Sequence, residues 1–256
     1  MNSARFAAAL VFVATIGSAA PALEELTDHT YAVPAATTLS VRNTDGTIYI
    51  YGSEKNEIRI VARKKAYTRE RLEKIAVNVK IDGGSATIDT VFPPKVEGLS
   101  FADRSGTVDY VLVVPQSCAI AQAELARGEI ILEGLRGPAA RARLTNGRLI
   151  ARNCFAETTN VAVKEGMLDI YYDWWEPLKF ALTGEIGRGH IRSSFPDYAS
   201  LGLDAASGDG KIENHFAAPE RTGGGARSVQ MAIGNGVSAE IKLRADNGNI
   251  TVNRLE

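Results

Sequence analysis

The chain has 256 residues, of which 45% are hydrophobic and 23% are charged, a balance typical of folded globular proteins and not of disordered ones. Its formal net charge is −1, which argues against nucleic acid as the main partner, because nucleic-acid-binding proteins usually carry a strongly basic surface. The 24 glycines are typical of an all-β protein with many turns.

Residues 1–22 have the pattern of a secretory signal peptide. A short basic start precedes the apolar run from Phe6 to Ala20, and Ala20-Pro21-Ala22 forms a cleavage site of the A-x-A kind. A membrane anchor is the alternative, but the apolar run is too short to span a bilayer comfortably. We therefore expect cleavage after Ala22, a periplasmic or extracellular location, and no membrane span in the remainder of the chain.

Residues 23–107 predict a β-rich capping region that contains one short helix. Thr68 is a good N-cap for the helix-forming residues that continue to Ile75. Alternating segments then flank the sequence DGGS at 82–85, which predicts a hairpin. We expect these elements to cover one end of the repeats that follow, because a solenoid otherwise exposes an unpaired strand edge.

A motif centred on glycine recurs along the chain, and LTNGRL at 144–149 represents it. The seven copies are centred on Gly46, Gly128, Gly147, Gly166, Gly189, Gly210 and Gly248. Successive spacings include 147 − 128 = 19 and 166 − 147 = 19, and the last spacing, 248 − 210 = 38, is twice that value. A fixed period near 20 residues is the signature of a solenoid.

Two features of the motif have a physical explanation. The glycine adopts positive φ without steric cost, so the chain can turn sharply there. An aliphatic residue follows two positions later in each copy, and stacked turns would place these side chains above one another as an inward ladder. The aliphatic residues are Ile48, Ile130, Leu149, Leu168, Ile191, Ile212 and Ile250.

The repeats therefore predict an all-β fold with a parallel β-solenoid over residues 108–256. An antiparallel β-sandwich of hairpins is the alternative, because Asp-Gly and Asn-Gly pairs are also hairpin signals. An insertion at 219–236 interrupts the repeats and is expected to cover their far end. Cys118 and Cys154 lie nearly two periods apart, so we expect them to be too distant for a disulfide bond.

The order of these motifs resembles the bacterial "putative adhesin" family of secreted domains. The matched segments are NTDGTI at 43–48, RERLEKI at 69–75 before the Gly-Gly hairpin, VDYVLVVP at 108–115, and LRGP at 135–138 followed by LTNG at 144–147. The resemblance implies a right-handed β-solenoid, an adhesin-like function and no catalytic residues. The chain departs from the family pattern at 171–177 and 219–236.

The sharpest candidate binding site is an aromatic segment flanked by carboxylates. Its residues are Tyr171, Tyr172, Asp173, Trp174, Trp175 and Glu176. Aromatic rings can stack on sugar rings while carboxylates accept hydrogen bonds from hydroxyl groups, which together suit a carbohydrate. Alternatively, the rings pack on the flank of the solenoid and close a longer turn. Strand alternation predicts that one of the two tryptophans faces inward and the other outward.

A second candidate is a band of arginines that could contact an anionic envelope polymer through paired hydrogen bonds. The band comprises Arg127, Arg136, Arg141, Arg143, Arg148 and Arg152. The alternative is a solvated outer strand face, and alternation in ARARL at 140–144 does predict that Arg141 and Arg143 face water.

These patterns favour a non-enzymatic envelope module that binds a polysaccharide or another envelope protein, with no metal and no cofactor. The alternative is a polysaccharide-active enzyme or carbohydrate-binding domain that uses the aromatic segment. Hydrolysis of a glycosidic bond requires two carboxyl groups about 5–10 Å apart. Asp173 and Glu176 are the only simple candidates for that pair. They are three residues apart in a turn, which does not ensure the required distance between the two carboxyl groups.

Overall fold

The computed structural model describes residues 22–94, 105–216, 227–235 and 238–256. The protein is all-β, with fourteen strands and a single helix in the described ranges. Residues 1–21 of the predicted signal peptide and half of the predicted insertion, 219–226 and 236, lie outside these ranges. The elements are β1 (Leu23–Ala32), β2 (Thr38–Ser53), β3 (Glu57–Ala66), α1 (Arg69–Lys74), β4 (Ala76–Asp82), β5 (Ser85–Val91), β6 (Thr107–Pro115), β7 (Ala119–Glu133), β8 (Ala139–Arg152), β9 (Thr158–Tyr171), β10 (Phe180–Pro196), β11 (Leu201–Asp209), β12 (Ile212–Asn214), β13 (Ser228–Ile233) and β14 (Ala239–Leu255).

The strands are stacked mostly in parallel, in the spatial order β1-β3-β6-β2-β7-β8-β9-β10-β14-β11-β13. Each long strand has a first arm before its repeat glycine and a second arm after it. The two arms have different neighbours at the N-terminal end, where the first arm of β2 pairs with β5 and the second arm pairs with β6. Alternate side chains of both arms point into one continuous hydrophobic core.

The repeat glycines form a column in which successive strands approach very closely. Gly128 pairs with Gly147, and Gly147 pairs with Gly166. Six of the seven glycines have positive φ, as predicted, whereas Gly210 does not. A Cβ atom built on Gly147 would lie 1.9 Å from the carbonyl oxygen of Gly128, so glycine is required there by the neighbouring backbone as well as by φ.

The aliphatic ladder predicted from the repeat is confirmed. Ile130 pairs with Leu149, and Leu149 pairs with Leu168, all in parallel strands. Each of these three side chains is fully buried. The parallel pairing also excludes the antiparallel sandwich, because hairpins would place consecutive repeats in opposite directions.

The N-terminal elements complete one end of the stack. β2 precedes residue 108, yet its Gly46 pairs with Gly128 in the same register as the later repeats. The structure therefore contains a repeat strand inside the predicted capping region. Beyond it, β6, β3 and β1 extend the sheet, and α1 buries Leu72 against the core. Thr68 caps the helix as predicted, since its hydroxyl accepts a hydrogen bond from the Arg71 backbone N–H at 3.2 Å.

The C-terminal strands do not follow chain order, which corrects the expectation of successive turns. β14 lies between β10 and β11, pairing in parallel with both, so Gly248 stacks between Gly189 and Gly210. Strand length explains the arrangement. The 17 residues of β14 match the 17 residues of β10, whereas the 9-residue β11 and the 3-residue β12 together would leave part of β10 unpaired. β13, from the predicted insertion, pairs antiparallel with the outer side of β11.

Cys118 and Cys154 are buried and are not bridged, as the repeat geometry predicts. Burial raises the pKa of both thiols to about 12, which leaves them protonated and weakly nucleophilic at neutral pH. The single helix of the described ranges, α1, is not long and apolar enough to cross a membrane.

Candidate functional site

The arginine band is divided between the two arms and the corner. Arg141 and Arg143 lie on the outer side of the first arm of β8, where they alternate with the buried Ala142. Arg148 and Arg152 lie on the outer side of the second arm of the same strand. Arg127 precedes the corner glycine of β7. The sequence band is therefore not one continuous surface.

Four of the six arginines are held by carboxylates of the protein itself. The pairs are Arg127 with Asp45, Arg136 with Glu176, Arg148 with Asp169 and Arg152 with Asp173, at 2.5 to 2.8 Å. A guanidinium that already donates to a carboxylate must lose that partner before it can bind another anion. These four arginines are therefore structural contacts of the solenoid surface.

Arg141 and Arg143 differ from the other four in this respect. Both side chains are exposed, and neither has a hydrogen bond or an ion pair to any described residue. They line an open depression of about 500 Å³ on the outer face of the first arms. We call this depression the first-arm groove and define it by Gln122, Arg141, Arg143, Asn160 and Thr183; the carboxylates of Glu124 and Glu185 also line it, in the row of Arg143.

The polar floor of the groove was not identified from the sequence, although the repeat contains its signal. Gln122, Arg141, Asn160 and Thr183 each lie six positions before a repeat glycine, and strand pairing places Arg141 beside Asn160 and Asn160 beside Thr183. Ala162 occupies the next outward position between longer side chains and thus opens the depression. Aligning the repeats and comparing the residues six positions before the glycine would have found this polar row.

A β-bulge brings Gln122 into this row. The register between β7 and β8 shifts between Ile120 and Ala123, which adds a residue on the β7 side. Such bulges redirect side chains and are frequent next to functional sites.

The aromatic segment divides into an inward and an outward half, and the two tryptophans face opposite ways as predicted, although the segment is a turn after β9 and its inward residues, Tyr172 and Trp175, are three positions apart. Tyr172 is fully buried and Trp175 is only 8% exposed, whereas Trp174 is 43% exposed. Tyr172 stacks on Phe195 with ring centroids 5.7 Å apart, and its hydroxyl donates to the Cys154 carbonyl at 2.6 Å. Tyr172 and Trp175 are thus core residues that a ligand on the surface does not reach.

The two carboxylates of this segment are both engaged in ion pairs. Arg136 donates two hydrogen bonds to Glu176 and lowers the pKa of that carboxyl from 4.5 to about 2. Asp173 accepts from Arg152 and Asn153, each at 2.8 Å, and its pKa is lowered despite the opposing effect of burial. A general acid must be protonated near the working pH, so Glu176 is unsuited to that role.

Two aromatic residues of the segment remain accessible. Tyr171 lies on the outer face of β9, where the Arg152 guanidinium sits 5.8 Å from its ring centroid. Trp174 donates its indole N–H to Glu176 at 3.0 Å, which fixes the orientation of its exposed ring. Within the described ranges no group of three or more His, Cys, Asp or Glu side chains is arranged to hold a metal ion.

Comparison with solved structures shows that this fold has been seen before. A "putative cell adhesion protein" from Clostridium sporogenes ATCC 15579 is 15% identical, with a TM-score of 0.54 and coverage of 92% of this chain and 100% of that chain. A "putative adhesin" from Bacteroides fragilis NCTC 9343 is 10% identical, with a TM-score of 0.31 and coverage of 90% and 97%. At such identities the likeness to the Clostridium protein concerns the fold alone, and the comparison with curated proteins finds no match.

The family comparison covers nearly all of the described fold. The model of the Toastrack DUF4097 family matches residues 29–253, from β1 to β14, and this confirms the resemblance inferred from the repeat motifs. The chain belongs to the Toastrack DUF4097 family.

Proposed function

We propose that the protein is an exported, adhesin-like binding module that holds an acidic glycan of the cell envelope in the first-arm groove. The observation that carries this proposal is the pair of exposed arginines, Arg141 and Arg143, neither of which forms an ion pair with a carboxylate of the described residues, although Glu124 lies beside Arg143 in the strand register. A guanidinium binds a carboxylate through two parallel hydrogen bonds, so each arginine suits one acidic sugar.

The remaining groove residues support a glycan in preference to a simple anion. The side-chain amides of Gln122 and Asn160 and the hydroxyl of Thr183 can each donate to and accept from sugar hydroxyls. The row crosses neighbouring strands, so it presents these groups at intervals of about 4.8 Å. Export rests on the predicted signal peptide, and the adhesin-like role extends to this chain the description of its Clostridium neighbour.

The proposal is tested by titrating the protein with polygalacturonate, using neutral dextran as the comparison polymer. The double variant Arg141→Ala/Arg143→Ala is expected to weaken polygalacturonate binding at least tenfold, since a hydrogen bond to a charged group contributes about 1.5–3 kcal/mol. Arg127→Ala is the matched control, because it removes an exposed arginine that Asp45 already engages. The proposal would be refuted if wild type and the double variant bound polygalacturonate equally. It would also be refuted if wild type bound dextran as tightly as polygalacturonate.

A second candidate is carbohydrate binding at the outward half of the aromatic segment. The observation in its favour is the exposed ring of Trp174, which its hydrogen bond to Glu176 holds in place. In the same titration Trp174→Ala should reduce affinity for both polymers if sugars stack there, because stacking does not require a charged ligand. Unchanged affinity for both polymers would exclude this site.

A further inference from the structure

The strand β1 ends the row of second arms and is paired on one side only. It runs antiparallel to β3 from Leu23–Ala66 to Ala32–Glu57, and no other described strand pairs with it. A free strand edge is a template for another strand, so proteins usually protect such an edge or use it.

The charges of β1 do not protect this edge, because β3 neutralises them. Arg59 forms two hydrogen bonds with Asp28, at 2.6 and 2.9 Å. Lys64 lies 2.7 Å from Glu25. Glu24 lies within 4.0 Å of two cations of β3. An approaching strand would therefore meet carboxylates whose charge is already neutralised by β3, and these carboxylates would not repel it.

The inner face of β1 leaves the hydrophobic core open at this end. A depression of about 450 Å³ lies between β1 and β4, with Thr27, His29 and Tyr31 on one wall and Val77 and Val79 on the other. The two valines are only partly buried, although they point toward the core and pack against it. Another layer of structure placed across the end would remove this apolar surface from water.

The sequence of β1 is self-complementary about Thr27. If two copies of the strand run antiparallel with Thr27 opposite Thr27, Glu25 lies opposite His29 of the other copy. In the same register Leu23 lies opposite Tyr31 of the other copy. All of these residues point to the inner face, where directly opposed side chains are about 4.5–5.5 Å apart.

We propose that the free edge of β1 is an interface for a second copy of this chain. The two strands pair antiparallel about a two-fold axis through Thr27, which joins the two sheets into one and closes the depression at Val77 and Val79. Lys64 contacts Oε1 of Glu25, which leaves the second carboxylate oxygen for His29 of the other copy. This complementarity selects a second copy over an unrelated strand, because both contacts form at once when the same sequence meets itself.

The first experiment uses charge reversal in the intact protein and sedimentation equilibrium as the readout. Wild type should approach twice the chain mass as its concentration increases. Glu25→His and His29→Glu should each be monomeric, since like groups would then face each other across the axis. An equal mixture of these two variants should restore the dimer, because each supplies the group that the other lacks. A monomeric wild type, or a mixture that remains monomeric, would overturn the proposal.

The second experiment places a cysteine on the proposed axis. Thr27→Cys should be cross-linked in high yield by a short bismaleimide, because its side chain meets its own copy. Thr30→Cys is the matched control, since Thr30 lies on the same strand but opposite Glu24 in this register. The native cysteines are both buried and should not react. Equal cross-linking of the two variants would contradict the proposed register.

Discussion

At the corner of each turn the Cβ position of the glycine is occupied by the backbone of the neighbouring strand. The contact distance is 1.9 Å at Gly128, Gly147, Gly166 and Gly189. From the sequence, the glycine at these positions was explained by the need for positive φ alone. The close approach adds a second requirement, and it explains why Gly210 is retained although its φ is not positive: its Cβ would lie 2.0 Å from the Gly248 carbonyl oxygen.

Gly147→Ala is expected to lower the free energy of unfolding by roughly 3–5 kcal/mol, because it combines backbone strain with overpacking. Gly83→Ala is the matched control. Gly83 also has positive φ, at 52°, but no atom lies within 4 Å of its Cβ position, so only a cost of about 1–2 kcal/mol is expected. Chemical denaturation measures both values, and equal losses would show that the glycine column is not tightly packed.

The ion pair of Glu176 predicts an effect of pH on stability. Its pKa in the folded protein, about 2, is below its usual 4.5, so the pair stabilises the fold above pH 4.5 and loses that contribution as the pH falls toward 2. Glu176→Gln should cost roughly 1 kcal/mol at neutral pH, a value reduced by the partial exposure of the pair. The difference from wild type should shrink between pH 4.5 and 2, and a difference independent of pH would exclude the pair as its source.

At the scale of single elements, the turn after β9 is held by a cluster of rings. Tyr172 contacts Trp175, Phe180 and Phe195 with ring centroids 5.4–5.8 Å apart. The opposite orientation of the two tryptophans was predictable from their adjacency, whereas the inward orientation of both Tyr172 and Trp175 was not, because this segment is a turn and not a strand. The pairs Arg136–Glu176 and Arg152–Asp173 were not, because they depend on how turns of unequal length stack.

Trp175→Ala is expected to lower the free energy of unfolding by about 3–5 kcal/mol, the usual cost of deleting a large buried ring. Trp174→Ala, the exposed neighbour, should cost about 1 kcal/mol or less. Thermal denaturation of the two variants separates packing from binding. A nearly unchanged melting temperature for Trp175→Ala would indicate that this ring does not support the core and would reopen its assignment to a ligand site.

Over the whole molecule, the period of the repeat predicted parallel stacking but not the order of the last strands. The spacing of 38 residues between Gly210 and Gly248 fits a strand at the far end as well as one inserted earlier. The choice depends on the length of edge that each strand can satisfy, and β11, with 9 residues, is shorter than β10 and β14, with 17 each. The regular spacing of the repeat glycines does not indicate which strand pairs with β10.

Truncation provides the test of this arrangement. A chain that stops at Ser238 lacks β14, so β10 and β11 lose the strand that joins them and cooperative unfolding should be abolished. A chain that lacks Leu23–Ala32 is the matched control, since it loses an edge strand of the sheet and should retain a cooperative transition. Circular dichroism with a thermal ramp measures both. A cooperative transition in the first variant would place β14 at the periphery.

The insertion of β14 between two earlier strands also affects how the protein matures. Synthesis delivers the chain from the N-terminus, so β10 and β11 emerge before the strand that must separate them. These two strands must stay apart, or part again, until residues 239–255 arrive. The last strand of the sequence, β14, therefore locks the earlier strands in place, and polypeptides that end before it should remain open to proteases while full-length molecules become resistant.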